Sequence, residues 1–168
     1  MSDLIKELDK ILIKKTKIKD LDFVIELENA PENRDNVFQW SKEKHIEAIN
    51  DEDILHVIIK DKKNKRIGYA IVAGLQSDNK SIEIRRVVID KKNKGYGSEF
   101  LKLMKIYTFE DLKYHKLWLD FFATNKKVEP LYKRQGFKKD GVLRDRYYNN
   151  NRYTSIVVMS LLDKEYFA

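Results

Sequence analysis

The residues best suited to chemistry form a basic glycine loop, Lys92-Asn93-Lys94-Gly95-Tyr96-Gly97-Ser98, set between an apolar strand pattern (82–89) and a helical pattern (98–111). A strand feeding a glycine turn and then a helix start can hold phosphate. Exposed backbone N–H groups and the positive end of the helix dipole face the anion, and glycine lets the main chain come close. Spacing excludes the two familiar phosphate fingerprints. A dinucleotide loop needs G-x-G-x-x-G, and Phe100 stands at the third glycine. A P-loop needs Lys after its second glycine, and Val142 follows Gly141 in the only matching run. Two carboxylates also stand out: Glu83 in the first strand pattern, and Asp120 inside the apolar run LWLDFF. A carboxylate in such a strand needs a partner or a raised pKa.

The loop resembles the [QR]-x-x-G-x-[GA] cofactor motif of the Gcn5-related N-acetyltransferases, with two departures. Lys92 stands where Gln or Arg is usual, and Asn93 where Gly is frequent. Lysine keeps the charge but loses the planar fork, which implies an altered grip on a pyrophosphate. A second block strengthens the resemblance. Strand 117–122 is followed by Asn125, and seven residues later by Tyr132 ahead of Gly136-Phe137. The tail 144–168, with MSLLDKEYF near its end, resembles the branch containing ribosomal-protein N-terminal and polyamine acetyltransferases.

The resemblance implies a single α/β (α+β) domain over residues 1–168. Its sheet would be mixed and mostly antiparallel, with six to seven strands, about four flanking helices and a splayed parallel strand pair forming a CoA groove. It implies acetyl-CoA as co-substrate, with no metal. Backbone groups around Val87, Val88 and Ile89 would pair with the pantetheine arm, Val88 N–H polarising the thioester carbonyl. A plain β-branched strand core at those positions is compatible, because the contacts are main-chain. Lys92, Asn93, Lys94, Gly95, Tyr96, Gly97 and Ser98 would wrap the pyrophosphate, and Asn125 would meet the pantetheine or adenosine side.

Acetyl transfer further requires that the amine be deprotonated and the departing thiolate reprotonated. The chain has no cysteine, so an acyl-thioenzyme is impossible and direct attack in a ternary complex is the simplest route. Tyr132 is the candidate general acid, a phenol of pKa about 10 being suited to reprotonating a thiolate. Its structural alternative is a core tyrosine on a short helix. The base stays open between Asp120 and Glu83. Asp120 has the spacing at which ribosomal-protein alanine acetyltransferases carry a glutamate; its shorter side chain implies a water relay. For either carboxylate the competing reading is a salt bridge to Arg85 or Arg86.

Charge adds a clue to the acceptor. The 168 residues carry a net +7, yet residues 20–53 hold eleven acidic side chains against Arg34, Lys42 and Lys44, a balance of −8 that leaves +15 elsewhere. That segment includes Glu26, Glu28, Glu32, Asp35, Glu43 and Glu47. The resemblance places it beside the acceptor amine, and such a wall draws polycations: polyamines, aminoglycoside-like amines or the N-terminus of a basic protein. Phe38 and Trp40 would add apolar surface. The same carboxylates are equally the wet faces of two helices. His45, His56 and His115 have neither the spacing nor the cysteine companions of a metal site, and His45 is expected on the acceptor side or the surface.

No run approaches the roughly 18 apolar residues of a membrane span. The start MSDLIKELDK lacks a signal peptide's basic flank and apolar core, so a cytoplasmic location is expected. A homodimer is an open expectation, frequent in the family. Two other functions compete: an acyl-CoA-binding regulatory module without catalysis, opposed by Tyr132 and Asn125, and a basic nucleic-acid-binding module. The latter lacks RNP-like aromatics and a helix-turn-helix.

The elements that must position these residues follow from periodicity. Residues 3–10 suggest a short helical lead and 11–18 an edge strand. Helices are expected over 21–28 and 41–50, the second with Ser41 as N-cap. Strands 55–59 and 66–73 flank a hairpin turn. Strand 82–89, helix 98–111, strand 117–122, helix 127–134 and strands 137–143 and 154–161 complete the order.

Overall fold

The computed structural model describes residues 3–90 and 94–168. Its strands are β1 Leu4–Glu7, β2 Ile11–Lys15, β3 Ile54–Asp61, β4 Arg66–Ala73, β5 Ser81–Ile89, β6 Lys116–Phe122, β7 Lys138–Asn149 and β8 Arg152–Leu162. They form one sheet in the order β1-β2-β3-β4-β5-β6-β8-β7. The helices are α1 Leu21–Asn29, α2 Lys42–Asn50, α3 Tyr96–Ile106, α4 Glu129–Arg134 and the single turn α5 Asp163–Tyr166.

Two apolar layers hold the helices to the sheet. α3 buries Phe100, Leu101, Leu103 and Met104 in a cluster with Ile82 and Ile84 of β5 and Leu117, Leu119 and Phe121 of β6. On the opposite face α1 buries Leu21, Val24 and Leu27 against Ile58, Tyr69, Ile71 and Val88. Strand alternation therefore sends Glu83, Trp118, Asp120 and Phe122 to the α1–α2 side.

Residues 3–10 depart from the helical expectation. Leu4–Glu7 is a strand, antiparallel to β2, and Leu8 N donates to Ile11 O to close the turn. Four residues are too few to tell period 3.6 from period 2, and pairing with β2 decides. β1 displaces β2 from the edge and brings the strands to eight. Ser41 caps α2 as expected, accepting from Lys44 N at 3.2 Å. The helix expected over 98–111 starts at Tyr96 and closes in a π turn, Tyr107–Asp111, where Leu112 N donates to Tyr107 O.

Two irregularities in β5 create the site. Opposite β4, Ile71 pairs with Arg86 but Val72 with Ile84, so Arg85 is an extra, bulged residue. Opposite β6, the only parallel pairing in the sheet among the described residues covers Ser81↔Lys116 to Ile84↔Leu119 and stops there. Beyond that point the two strands diverge.

Candidate active site

The divergence of β5 and β6 opens a groove of about 1810 Å³. The start of α3 forms one end, residues 36–40 and the α1–α2 side the other. Val87, Val88, Ile89, Gly95, Tyr96, Gly97, Ser98, Asn125, Tyr132, Asp120 and Glu83 all border it. Lys94 is described but does not border it, and Lys92 and Asn93 lie outside the described residues.

At the α3 end of the groove, Gly95 is the N-cap of α3 in the left-handed region, φ 79°. Its carbonyl accepts from Glu99 N at 3.1 Å, leaving the N–H groups of Tyr96, Gly97 and Ser98 without partners inside the helix. The loop is braced from behind, where Glu99 Oε2 accepts from Lys10 N at 2.6 Å. These features fit a pyrophosphate. Lys126, Lys127 and Arg134 border the same groove; the basic pair directly after Asn125 was the signal in the sequence for two of them.

Along β5 the main chain sorts its own groups. Asp90 N donates to Ile67 O of the strand beginning at Arg66, and Val88 stands opposite Tyr69. Hydrogen-bonding direction alternates along a strand, so Val88 faces β4 as Asp90 does, while Val87 and Ile89 turn their peptide groups to the opening. The expectation for Val88 N–H thus shifts to its neighbours. The Val88 side chain is buried against α1.

Within the groove the two carboxylates differ. Glu83 is paired, Arg85 Nε donating to it at 3.1 Å. Asp120 makes no ion pair or hydrogen bond among the described residues. Burial, with Glu83 as a second cause, pushes the Asp120 carboxyl above the usual range, against Arg146 and Arg85. Tyr132 sits on the other face, its ring 5.6 Å from Phe121 and 6.1 Å from Phe137. Burial, then Asp120, pushes its phenol up to about 12.

The end of the groove at residues 36–40 is aromatic. Phe38 packs edge-on to Phe122 at 5.3 Å and to Tyr147 at 4.9 Å. Trp40 is covered by two cations, Lys44 Nζ and the Arg86 guanidinium, each 4.5 Å from its ring. The acidic segment supplies less than its composition implied. Of its six named carboxylates only Glu32 borders the groove. Glu28 is fully buried and ion-paired with Arg86, and His45, expected on the acceptor side or the surface, is buried beside it.

A mixed sheet opened beside one parallel strand pair, above a glycine-capped helix start, is the architecture of an acyl-CoA-dependent acyltransferase. The acetyltransferase (GNAT) domain model matches residues 10–138. The chain belongs to that family and is an N-acetyltransferase using acetyl-CoA. It is 24% identical over 158 residues to the spermidine N(1)-acetyltransferase of Vibrio cholerae, covering 88% of this chain and 90% of the relative. The Escherichia coli K12 spermidine N(1)-acetyltransferase is 22% identical over 160 residues, 89% of this chain and 84% of the relative. In structure the chain is similar to the Vibrio cholerae spermidine N-acetyltransferase crystallised with CoA and spermine: TM-score 0.83 at 22% identity, over 94% of this chain and 98% of that one. A dodecameric form of that enzyme gives TM-score 0.77 at 23% identity, over 93% of this chain and 95% of that one.

Proposed function

We propose that this acetyltransferase modifies a primary amine of a polyamine by direct attack on acetyl-CoA. The observation that carries the reading is Asp120, an unpaired, half-buried carboxylate beside Glu83 on the acceptor side of the strand opening. The similarity to spermidine acetyltransferases supports the same acceptor.

In this reading Tyr96, Gly97 and Ser98 donate their N–H groups to the pyrophosphate, and the charge of Lys92 and Lys94 and the amide of Asn93 are offered to the same anion. Lys126, Lys127 and Arg134 offer charge to the remaining phosphate, and Asn125 contacts the pantetheine side. Val87 and Ile89 pair with the pantetheine amides, and Val87 N–H polarises the thioester carbonyl. Asp120, through a water, takes the proton of the ammonium while Glu83 supports the positive charge. The freed nitrogen lone pair attacks the carbonyl carbon and the C–S bond breaks. Tyr132 O–H gives its proton to the departing thiolate, and the second proton that the attacking nitrogen sheds as the amide forms returns through water to the Tyr132 phenolate, while Asp120 releases its own proton to solvent.

Two results are expected. Asp120 works as a base only when ionised and its carboxyl is raised, so kcat/KM falls as pH drops through a limb lying above the ordinary carboxylate range. Asp120→Asn removes that limb and lowers kcat. A raised folded-state pKa means the ionised carboxylate destabilises the fold, the cost growing as pH rises through it, so Asp120→Asn also has a higher Tm at neutral pH. If Glu83→Gln removes the limb instead, the two roles are exchanged.

The acceptor is tested by comparing spermidine with phenethylamine at low and moderate salt. Spermidine is expected to have the higher kcat/KM by about tenfold or more, the gap narrowing with salt. Equal efficiencies at low salt contradict a cationic acceptor.

A further inference from the structure

Glu28 is the most heavily bonded side chain of the acceptor wall. Its carboxylate is 0% exposed. Oε2 accepts from Tyr69 O–H at 2.5 Å and from Arg86 Nη1 at 2.7 Å, and Oε1 accepts from Trp40 N at 3.1 Å. His45 Nε2 stands 3.0 Å from Oε2, off the ideal hydrogen-bond direction. Behind it the chain continues, His45 Nδ1 to His56 Nε2 at 3.0 Å and His56 Nδ1 to Thr16 Oγ1 at 2.7 Å. Four elements and the Trp40 segment thus meet on one carboxylate, none of whose atoms border the groove.

Arg86 does border it, as do Asp120 and Glu83. Arg86 directly follows the bulge, and its fork is engaged by Glu28, over the Trp40 ring. Among the described residues Asp120 has no hydrogen-bond or ion-pair partner, and an arginine with no other anion would be drawn to it. Such a pairing would cost the groove its free carboxylate and its attraction for a cation.

We propose that Glu28 is a positioning residue that sequesters Arg86 in the acceptor wall, keeping Asp120 open to a cationic amine. The proposal rests on the reading of Asp120 and Glu83 as acceptor-side carboxylates. Glu28 holds its anion against burial. Desolvation raises its carboxyl, but the close approach of His45 Nε2, the hydrogen bond from Tyr69 and the charge of Arg86 prevail and leave it lowered. His56, pushed down to about 3 by burial and then by His45, is neutral and adds no competing cation. The charged and titratable groups facing Asp120 are Glu83 and Arg85 from β5, Arg146 from β7 and Tyr132 from α4. Arg86 is held on Glu28, 2.7 Å from its Oε2.

The test measures Glu28→Gln, Arg86→Gln and the double variant for spermidine KM, the pH dependence of kcat/KM and CoA affinity. In Glu28→Gln the released Arg86 pairs with Asp120. Spermidine KM rises about tenfold or more, the acidic limb moves to lower pH, and CoA affinity stays within about twofold. Removing Arg86 as well returns both the limb and KM toward wild type, which a merely structural role for Glu28 does not do. A folded Glu28→Gln variant with wild-type limb and KM overturns the proposal, as does a double variant no better than the single one. Should Glu28→Gln not fold, Arg86→Gln alone decides: a sequestered arginine is dispensable for the acidic limb, and its loss from the profile overturns the proposal. Asp120→Asn, run in parallel, separates the two readings. If it retains the limb, the base assignment fails, and the Glu28 proposal stands or falls on the reversal of KM.

Discussion

Tyr132→Phe is expected to bind CoA as tightly as wild type and to lower kcat by about 10²–10⁴-fold, the range for removing a general acid. The phenylalanine ring keeps the contacts with Phe121 and Phe137, so fold and groove survive. What goes is the O–H. Burial first, then the nearby Asp120, holds the Tyr132 phenol at about 12, so it carries its proton at every working pH. The proton passes only when the C–S bond breaks and a thiolate appears in the groove. Tyr132 should therefore add no basic limb to the wild-type profile below about pH 11. Acetyl-CoA turnover and calorimetric CoA binding on one preparation check the claim; kcat within about threefold of wild type removes Tyr132 from the chemistry.

Gly95→Val is expected to abolish CoA binding, a loss of at least ~100-fold in affinity, since the cradle depends on a left-handed residue at the start of α3. Gly95 has φ 79°, a conformation that β-branched residues resist. A Cβ there would also lie 2.9 Å from Lys10 Nζ. That flexible ammonium can swing away; the backbone cannot. Forcing φ negative would turn the N–H groups of Tyr96 and Gly97 off the phosphate. Calorimetry on a variant shown to be folded is the check, and unchanged CoA affinity would displace the phosphate site from this loop.

Short-range features were the legible part of this chain. The strand–glycine–helix corner and the Asp120, Asn125 and Tyr132 block each lie within a few dozen residues, and their spacings survive into one groove. A lone carboxylate in LWLDFF signalled a perturbed group, and Asp120 is one. Composition was a poorer guide. The −8 segment suggested an acidic wall, but a helix turns most of its side chains away from any one groove, and Glu28 is consumed by partners 41 and 58 residues away. No local pattern shows such a network, because its members share neither period nor element. The direction of Val88 was hidden for a related reason: main-chain polarity depends on which strand pairs with β5 and where its bulge falls. β1 was missed because four residues support either periodicity until a partner strand chooses.

Acetyl transfer from acetyl-CoA to a cationic amine leaves two products, free CoA and an acetylated amine. The most direct measurement mixes acetyl-CoA, spermidine and the protein, follows free thiol with a thiol reagent, and identifies the amine product by mass. The chain contributes no cysteine, so every thiol detected is released CoA. One thiol is expected for each acetylated amine, none beyond background hydrolysis without amine, and both products fall together by about 10²–10⁴-fold in Tyr132→Phe. CoA binding with no amine-dependent thiol release across spermidine, spermine and simpler amines would contradict acetyl transfer and leave a CoA-binding module without catalysis.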